Sequence, residues 1–143
     1  MGTCQGEADG ARIAYSTRRQ FSKHSAIYSE KLDGSDRRLV AKNALAPAWS
    51  PDGTRIAYES SCGLRLVTPA GQDVTPASAR RCQAIGPVGL PNWSPDGTKI
   101  AIETAKGIYV VNADGTQLQL VSQWTSSVFV DEGLERPSWR PRP

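Results

Sequence analysis

What this 143-residue sequence has little of narrows its chemistry before anything else. It carries one histidine, His24, and no Gly-x-Ser-x-Gly nucleophile elbow, so a His-dependent triad would have to draw on Ser and Asp residues that mostly read as turn formers. No Cys-x-x-Cys or His-x-x-x-His spacing occurs, and with it goes the usual zinc signature. The stretch Asn112-Ala113-Asp114-Gly115-Thr116 begins like a calcium loop but lacks the closing acidic residue, and reads as a hairpin turn. These residues predict no catalytic set, no metal site and no cofactor.

Long apolar runs are missing too. None approaches the roughly 20 residues that span a bilayer, and the first residues lack the apolar core of a signal peptide, so the expectation is a soluble mature chain without membrane insertion. Charge of one sign does not dominate: 17 basic against 14 acidic residues give a formal +3, which implies no nucleic-acid partner. What is plentiful is turn chemistry. With 13 Gly, 10 Pro and 38% hydrophobic residues, the composition fits one all-β domain rich in turns.

The main signal is a repeat. The segment APAWSPDGTRIAYES, beginning at Ala46, returns 44 residues later as LPNWSPDGTKIAIET, beginning at Leu90; eight of the ten positions 49–58 recur identically at 93–102. A third copy is split. Asp9-Gly10-Ala11-Arg12-Ile13-Ala14-Tyr15 matches the second half of the motif, and Arg136-Pro137-Ser138-Trp139 matches the approach to Trp49 and Trp93. After Trp139 the match fails, since Arg140-Pro141-Arg142-Pro143 has no Asp-Gly turn.

Each motif leads into a second short apolar run: Ala26-Ile27-Tyr28, Leu64-Arg65-Leu66-Val67 and Ile108-Tyr109-Val110-Val111. A second turn follows at Asp33-Gly34, Ala70-Gly71 and Asp114-Gly115, and then a last strand, clearest at Arg38-Leu39-Val40 and Leu118-Gln119-Leu120-Val121. Four short strands per unit, here A to D, are the content of one propeller blade. The repeats run at about 9–46, 47–90 and 91–139 within a single module, 1–143.

Turn formation explains the motif without a ligand. Pro51 and Pro95 preset the backbone at the start of the turn, Asp52 and Asp96 bond nearby amides, and Gly53 and Gly97 accept a positive φ. In strand B, Ala14, Ala57 and Ala101 are small where a neighbouring sheet must come close. Trp49, Trp93 and Trp139 read as fillers between blades, with ligand stacking as the other use of an indole.

These residues resemble the Trp-Ser-Pro-Asp-Gly repeat of TolB-like propellers, the WD40-like PD40 class, over nearly the whole chain; the Gly-His and Trp-Asp signatures of WD repeats are absent. The resemblance implies blades packed around a channel, a habit of binding proteins or peptides, a periplasmic or extracellular setting, and no catalysis. A cytoplasmic setting stays open. It also implies a ring of about six blades, twice what the sequence supplies.

Counted in order, the strands predict B, C, D, then A to D, then A to D, then a final A: three whole blades offset by one strand. Three are too few to close, whereas two copies would make six, with the Trp139 strand of one beside Arg12 to Tyr15 of the other. A homodimer of this kind is the expectation. The alternatives are an open filament or structural self-assembling module, and an accessory propeller fragment of a larger hydrolase.

In a four-strand meander the A–B and C–D turns share one edge, and the B–C and D–A connections share the other. The long connections 16–25, 77–91 and 123–136 all fall on the second edge, where loops on a rigid scaffold carry binding. Arg18, Arg19, Lys23 and His24 are candidates in the first loop and Arg80 and Arg81 in the second, facing an acidic peptide or phosphate, or simply solvated. Trp124 and Phe129 in the third either anchor a partner or plug the channel mouth. Cys62 and Cys82 lie on that same edge of one blade, which makes them a candidate disulfide over about twenty residues; three unbridged thiols, Cys4 included, are the alternative.

Overall fold

Each copy of Trp-Ser-Pro-Asp-Gly-Thr reverses the chain in the same way. In the computed structural model, which describes residues 4–6, 10–18, 24–79, 88–123 and 137–139, Gly53 N–H donates to the Ser50 carbonyl at 2.9 Å and Ser50 N–H to the Arg55 carbonyl at 2.8 Å. Gly97, Ser94 and Lys99 repeat both bonds at 2.9 Å. Gly53 and Gly97 sit at φ +69° and +68°, a region that L side chains rarely enter. The aspartate locks the turn. Asp52 Oδ1 accepts from Ser50 Oγ (2.5 Å), Thr54 N–H (3.0 Å) and Thr54 Oγ1 (2.8 Å), and Asp96 accepts the same three from Ser94 and Thr98.

Those donors favour the anion. The Ser50 hydroxyl first, then the Thr54 amide, hold the Asp52 carboxyl down at about 2, against an ordinary value of 3.8. A carboxyl depressed on folding stabilises the fold above its unfolded value and loses that contribution as pH falls through the folded one. Asp52 is exposed, so solvent screening keeps the effect to about 1 kcal/mol. Between pH 4 and pH 2, urea unfolding of the native chain is therefore expected to lose about 1 kcal/mol more than that of Asp52→Asn. Parallel pH profiles would refute this.

Eleven strands are described: β1 (Cys4–Gly6), β2 (Arg12–Arg18), β3 (Ser25–Lys31), β4 (Arg38–Lys42), β5 (Ala44–Trp49), β6 (Ile56–Ser60), β7 (Gly63–Val67), β8 (Val88–Trp93), β9 (Lys99–Thr104), β10 (Gly107–Asn112) and β11 (Gln119–Gln123). They form three antiparallel sheets, ordered β1-β2-β3-β4, β5-β6-β7 and β8-β9-β10-β11. Each sheet follows one repeat of the sequence. Trp49 pairs with Ile56 and Ala48 with Ala57; Trp93 pairs with Ile100 and Asn92 with Ala101.

One expectation is not met. The first sheet opens at strand A rather than strand B, because β1 pairs with β2 at Cys4↔Tyr15, Gln5↔Ala14 and Gly6↔Ile13. The predicted loops are also shorter: Ser16 and Thr17 belong to β2, and Leu90 and Pro91 to β8. In the second sheet strand D shrinks to one bridge, Val67↔Asp73. Beside it Thr75 Oγ1 accepts from Leu66 N–H (2.9 Å) and donates to the Leu66 carbonyl (3.1 Å), which also takes the Val74 N–H (3.0 Å), so a side chain shares with the backbone what a strand would supply.

The core lies between sheets. Ala14, Ile27 and Val40 of the first sheet meet Trp49, Ile56 and Val67 of the second. Across the next junction Ala48, Ala57, Leu64 and Leu66 meet Trp93, Ile100, Ile102 and Val111. Both junctions follow one rule: the earlier sheet presents its strand-B alanine, and the later sheet inserts a tryptophan and an isoleucine.

Candidate interaction face

Because side chains alternate along a strand, the residues between those core positions point the other way. In the first sheet, Ala14 and Ile27 face the second sheet, which leaves Ile13, Tyr15 and Tyr28 on the far side, all half-buried. The equivalent positions of the next two sheets, Ile56 and Tyr58, then Ile100 and Ile102, lie inside junctions. Tyr15 and Tyr28 are paired directly across β2 and β3 and stack with centroids 6.2 Å apart. The Arg37 guanidinium lies 4.1 Å from the Tyr28 centroid, a cation–π contact that caps the pair.

The hydroxyl end is also fixed. Tyr15 donates to Glu30 Oε2 at 3.0 Å, and burial, then this bond, push its pKa up, so it stays a donor at neutral pH. Nearby, Asp36 accepts from Arg12 Nη1 and from Arg38 Nε, each at 2.8 Å. The bond from Arg38, then that from Arg12, keep the Asp36 carboxyl below its ordinary range. Together these groups make an aromatic surface edged with both charges.

At the other end of the stack, Trp139 reaches the third sheet. Its indole Nε1 donates to the Asn92 carbonyl at 3.0 Å, and Asn92 Nδ2 donates back to the Pro137 carbonyl. Trp93 makes the same indole bond one sheet earlier, to the Ala48 carbonyl at 3.0 Å. Trp139 thus bonds to the third sheet as Trp93 bonds to the second.

The sequence candidates are less well gathered. His24 is exposed just before β3, and Arg18 closes β2. Arg19, Lys23, Arg80, Arg81, Trp124 and Phe129 lie outside the described residues. Cys62 is half-buried in the β6–β7 turn, while its candidate partner Cys82 is outside the described residues. Among the described residues no three His, Cys, Asp or Glu side chains converge to hold a metal ion, and no helix is long and apolar enough to cross a membrane. The Tyr15–Tyr28 pair is what sequence reasoning missed. Its signal was available, since Tyr15 and Tyr58 share a repeat position.

Three antiparallel sheets stacked through repeated Ala and Trp junctions have the architecture of propeller blades, and the fold is that of a partial TolB-like β-propeller. No family model matches the chain, and no curated protein does. Among solved structures it is similar to a TolB-type protein from Agrobacterium tumefaciens, with TM-score 0.66 and 26% identity over 85% of this chain and 46% of that one. TolB from Acinetobacter baumannii gives 0.64 and 19% over 84% and 32%. The β-propeller domain of the Trilobed protease from Pyrococcus furiosus gives 0.55 and 19% over 77% and 38%. The chain spans less than half the length of each.

Proposed function

We propose that this chain is a non-enzymatic propeller scaffold for protein or peptide binding, working outside the cytoplasm and completed by pairing of two copies. The observation that carries the reading is the mismatch between the ends of the sheet stack. Among the described residues no earlier sheet lies against the junction positions Ile13, Tyr15 and Tyr28, while Trp139 bonds to the third sheet as Trp93 bonds to the second. Each end is the complement of the other, and twofold pairing would join them twice. Arg18 at the end of β2 and the loops carrying Arg19, Lys23, Arg80 and Arg81 would then surround one rim of the ring and take an acidic segment of the bound protein.

Light scattering at micromolar concentration is expected to return twice the 15.4 kDa chain mass. Immobilised chain should capture a protein from an extracytoplasmic extract and lose it when Arg18, Arg19 and Lys23 are replaced by Glu. A stable monomer overturns the pairing, and a mass that climbs with concentration favours a filament. The propeller of a protease among the similar structures supports a second reading, an accessory segment of a hydrolase. In that case the chain would lack peptidase activity by itself and gain a role only beside a catalytic domain.

A further inference from the structure

The tryptophans of the three junctions differ in one respect. Trp93 Nε1 donates to the carbonyl of Ala48, the residue just before Trp49; Trp139 Nε1 donates to the carbonyl of Asn92, the residue just before Trp93. Trp49 is only 6% exposed, and its Nε1 is buried with no hydrogen-bond partner among the described residues. A buried indole N–H without an acceptor is costly and uncommon in a native fold. By the repeat, its acceptor should be the carbonyl one residue before a tryptophan in the strand A that precedes it.

That position is held by β1, and β1 is a poor match for the place. It has three residues where β5 and β8 have six. Gly6 pairs with Ile13 where tryptophans pair with Ile56 and Ile100. The other A strands carry a proline two residues before the tryptophan, and Pro47 and Pro91 are fully buried there; β1 has no proline. Gln5 stands in register where Ala48 and Asn92 stand, yet the indole bond is not made. The sequence contains one more segment of the right kind, Pro137-Ser138-Trp139.

We infer that the edge of β2 is the docking site for the Pro137-Ser138-Trp139 strand of a second copy, which displaces β1 and offers the Ser138 carbonyl to Trp49 Nε1. The inference rests on the pairing proposed above and specifies how it is made. Trp139 of the incoming strand takes the place opposite Ile13, and Ser138 the place opposite Ala14. Every junction of the pair then carries the same indole-to-carbonyl bond, with Trp49, Trp93 and Trp139 each served by the residue before the preceding tryptophan. In the single chain β1 covers the edge, which limits uncontrolled strand addition until a second copy arrives.

Directly opposed residues of an antiparallel pair come within disulfide reach at favourable sites. With Cys4, Cys62 and Cys82 replaced by serine, the double variant A14C/S138C is expected to form a covalent dimer under oxidised glutathione, while either single variant does not. Light scattering of the same sample separates the two ideas. A dimer without the bridge overturns the strand placement and leaves pairing intact; a monomer overturns both. A second variant does not depend on the tolerance of the Ala14 site. Removing residues 1–6 should leave a dimer at least as tight as the native one, and its loss would show that β1 itself is the assembling strand.

Discussion

Trp93→Ala is expected to lower the free energy of unfolding by about 3–5 kcal/mol, the range for truncating a buried aromatic side chain. The indole is 5% exposed and sits between the second and third sheets against Ala48, Ala57 and Leu66. Two further contacts go with it. The Ala48 carbonyl loses its 3.0 Å donor, and the Arg55 guanidinium loses a ring whose centroid lies 4.8 Å away. The measurement is the urea midpoint, with an unchanged slope confirming that only stability moved. A loss below about 1 kcal/mol would mean that the junction rule misplaces the core. Trp49→Ala gives the internal comparison. Its packing is alike, but no indole bond is lost within the single chain, so its cost should be lower by about 1 kcal/mol in dilute protein.

Much of this fold is legible from local chemistry. The Ser-Pro-Asp-Gly-Thr turns could be placed because the aspartate, the threonine and the glycine each meet a requirement inside six residues, and the structure satisfies all of them within the turn. Strand B could be read because Ile56-Ala57-Tyr58 alternates between two junctions. A second turn was equally available: Ser60 and Thr104 each donate from the hydroxyl to the carbonyl of a glycine three residues on, Gly63 and Gly107, and the pairs are 44 residues apart like the main motif.

The features that escape the sequence depend on partners far along the chain. β1 has no alternation of its own, and only the edge of β2 makes Cys4–Gly6 a strand. The shortened last strand of the second sheet goes with the Thr75 hydroxyl finding both backbone groups of Leu66, which no local pattern announces. The Tyr15–Tyr28 stack needs the β2–β3 register, and a slip of one residue would place the two rings on opposite faces. The interaction face is therefore a product of register, while the binding loops proposed from charge lie mostly outside the described residues.

Gly107→Ala is expected to cost about 2–4 kcal/mol and to loosen one strand in particular, because it combines backbone strain with a steric conflict. Gly107 adopts φ +146°, and a Cβ built there would lie 2.0 Å from the Ser122 carbonyl oxygen and 3.0 Å from Gln123 Cα. Neither contact is with a flexible side-chain end, so β11 must move. It is the element best able to do so, since its residues are exposed along its whole length and it sits at the edge of the third sheet. The expected signature is thus a lower urea midpoint together with faster amide hydrogen exchange in Gln119–Gln123, while Ile100 and Ile102, buried in the junction, keep their protection. Gly34→Ala supplies the contrast. It carries a positive φ with nothing within 4 Å, so only the backbone term of about 1 kcal/mol remains. Equal costs for the two substitutions would show that β11 does not pack over Gly107 as described.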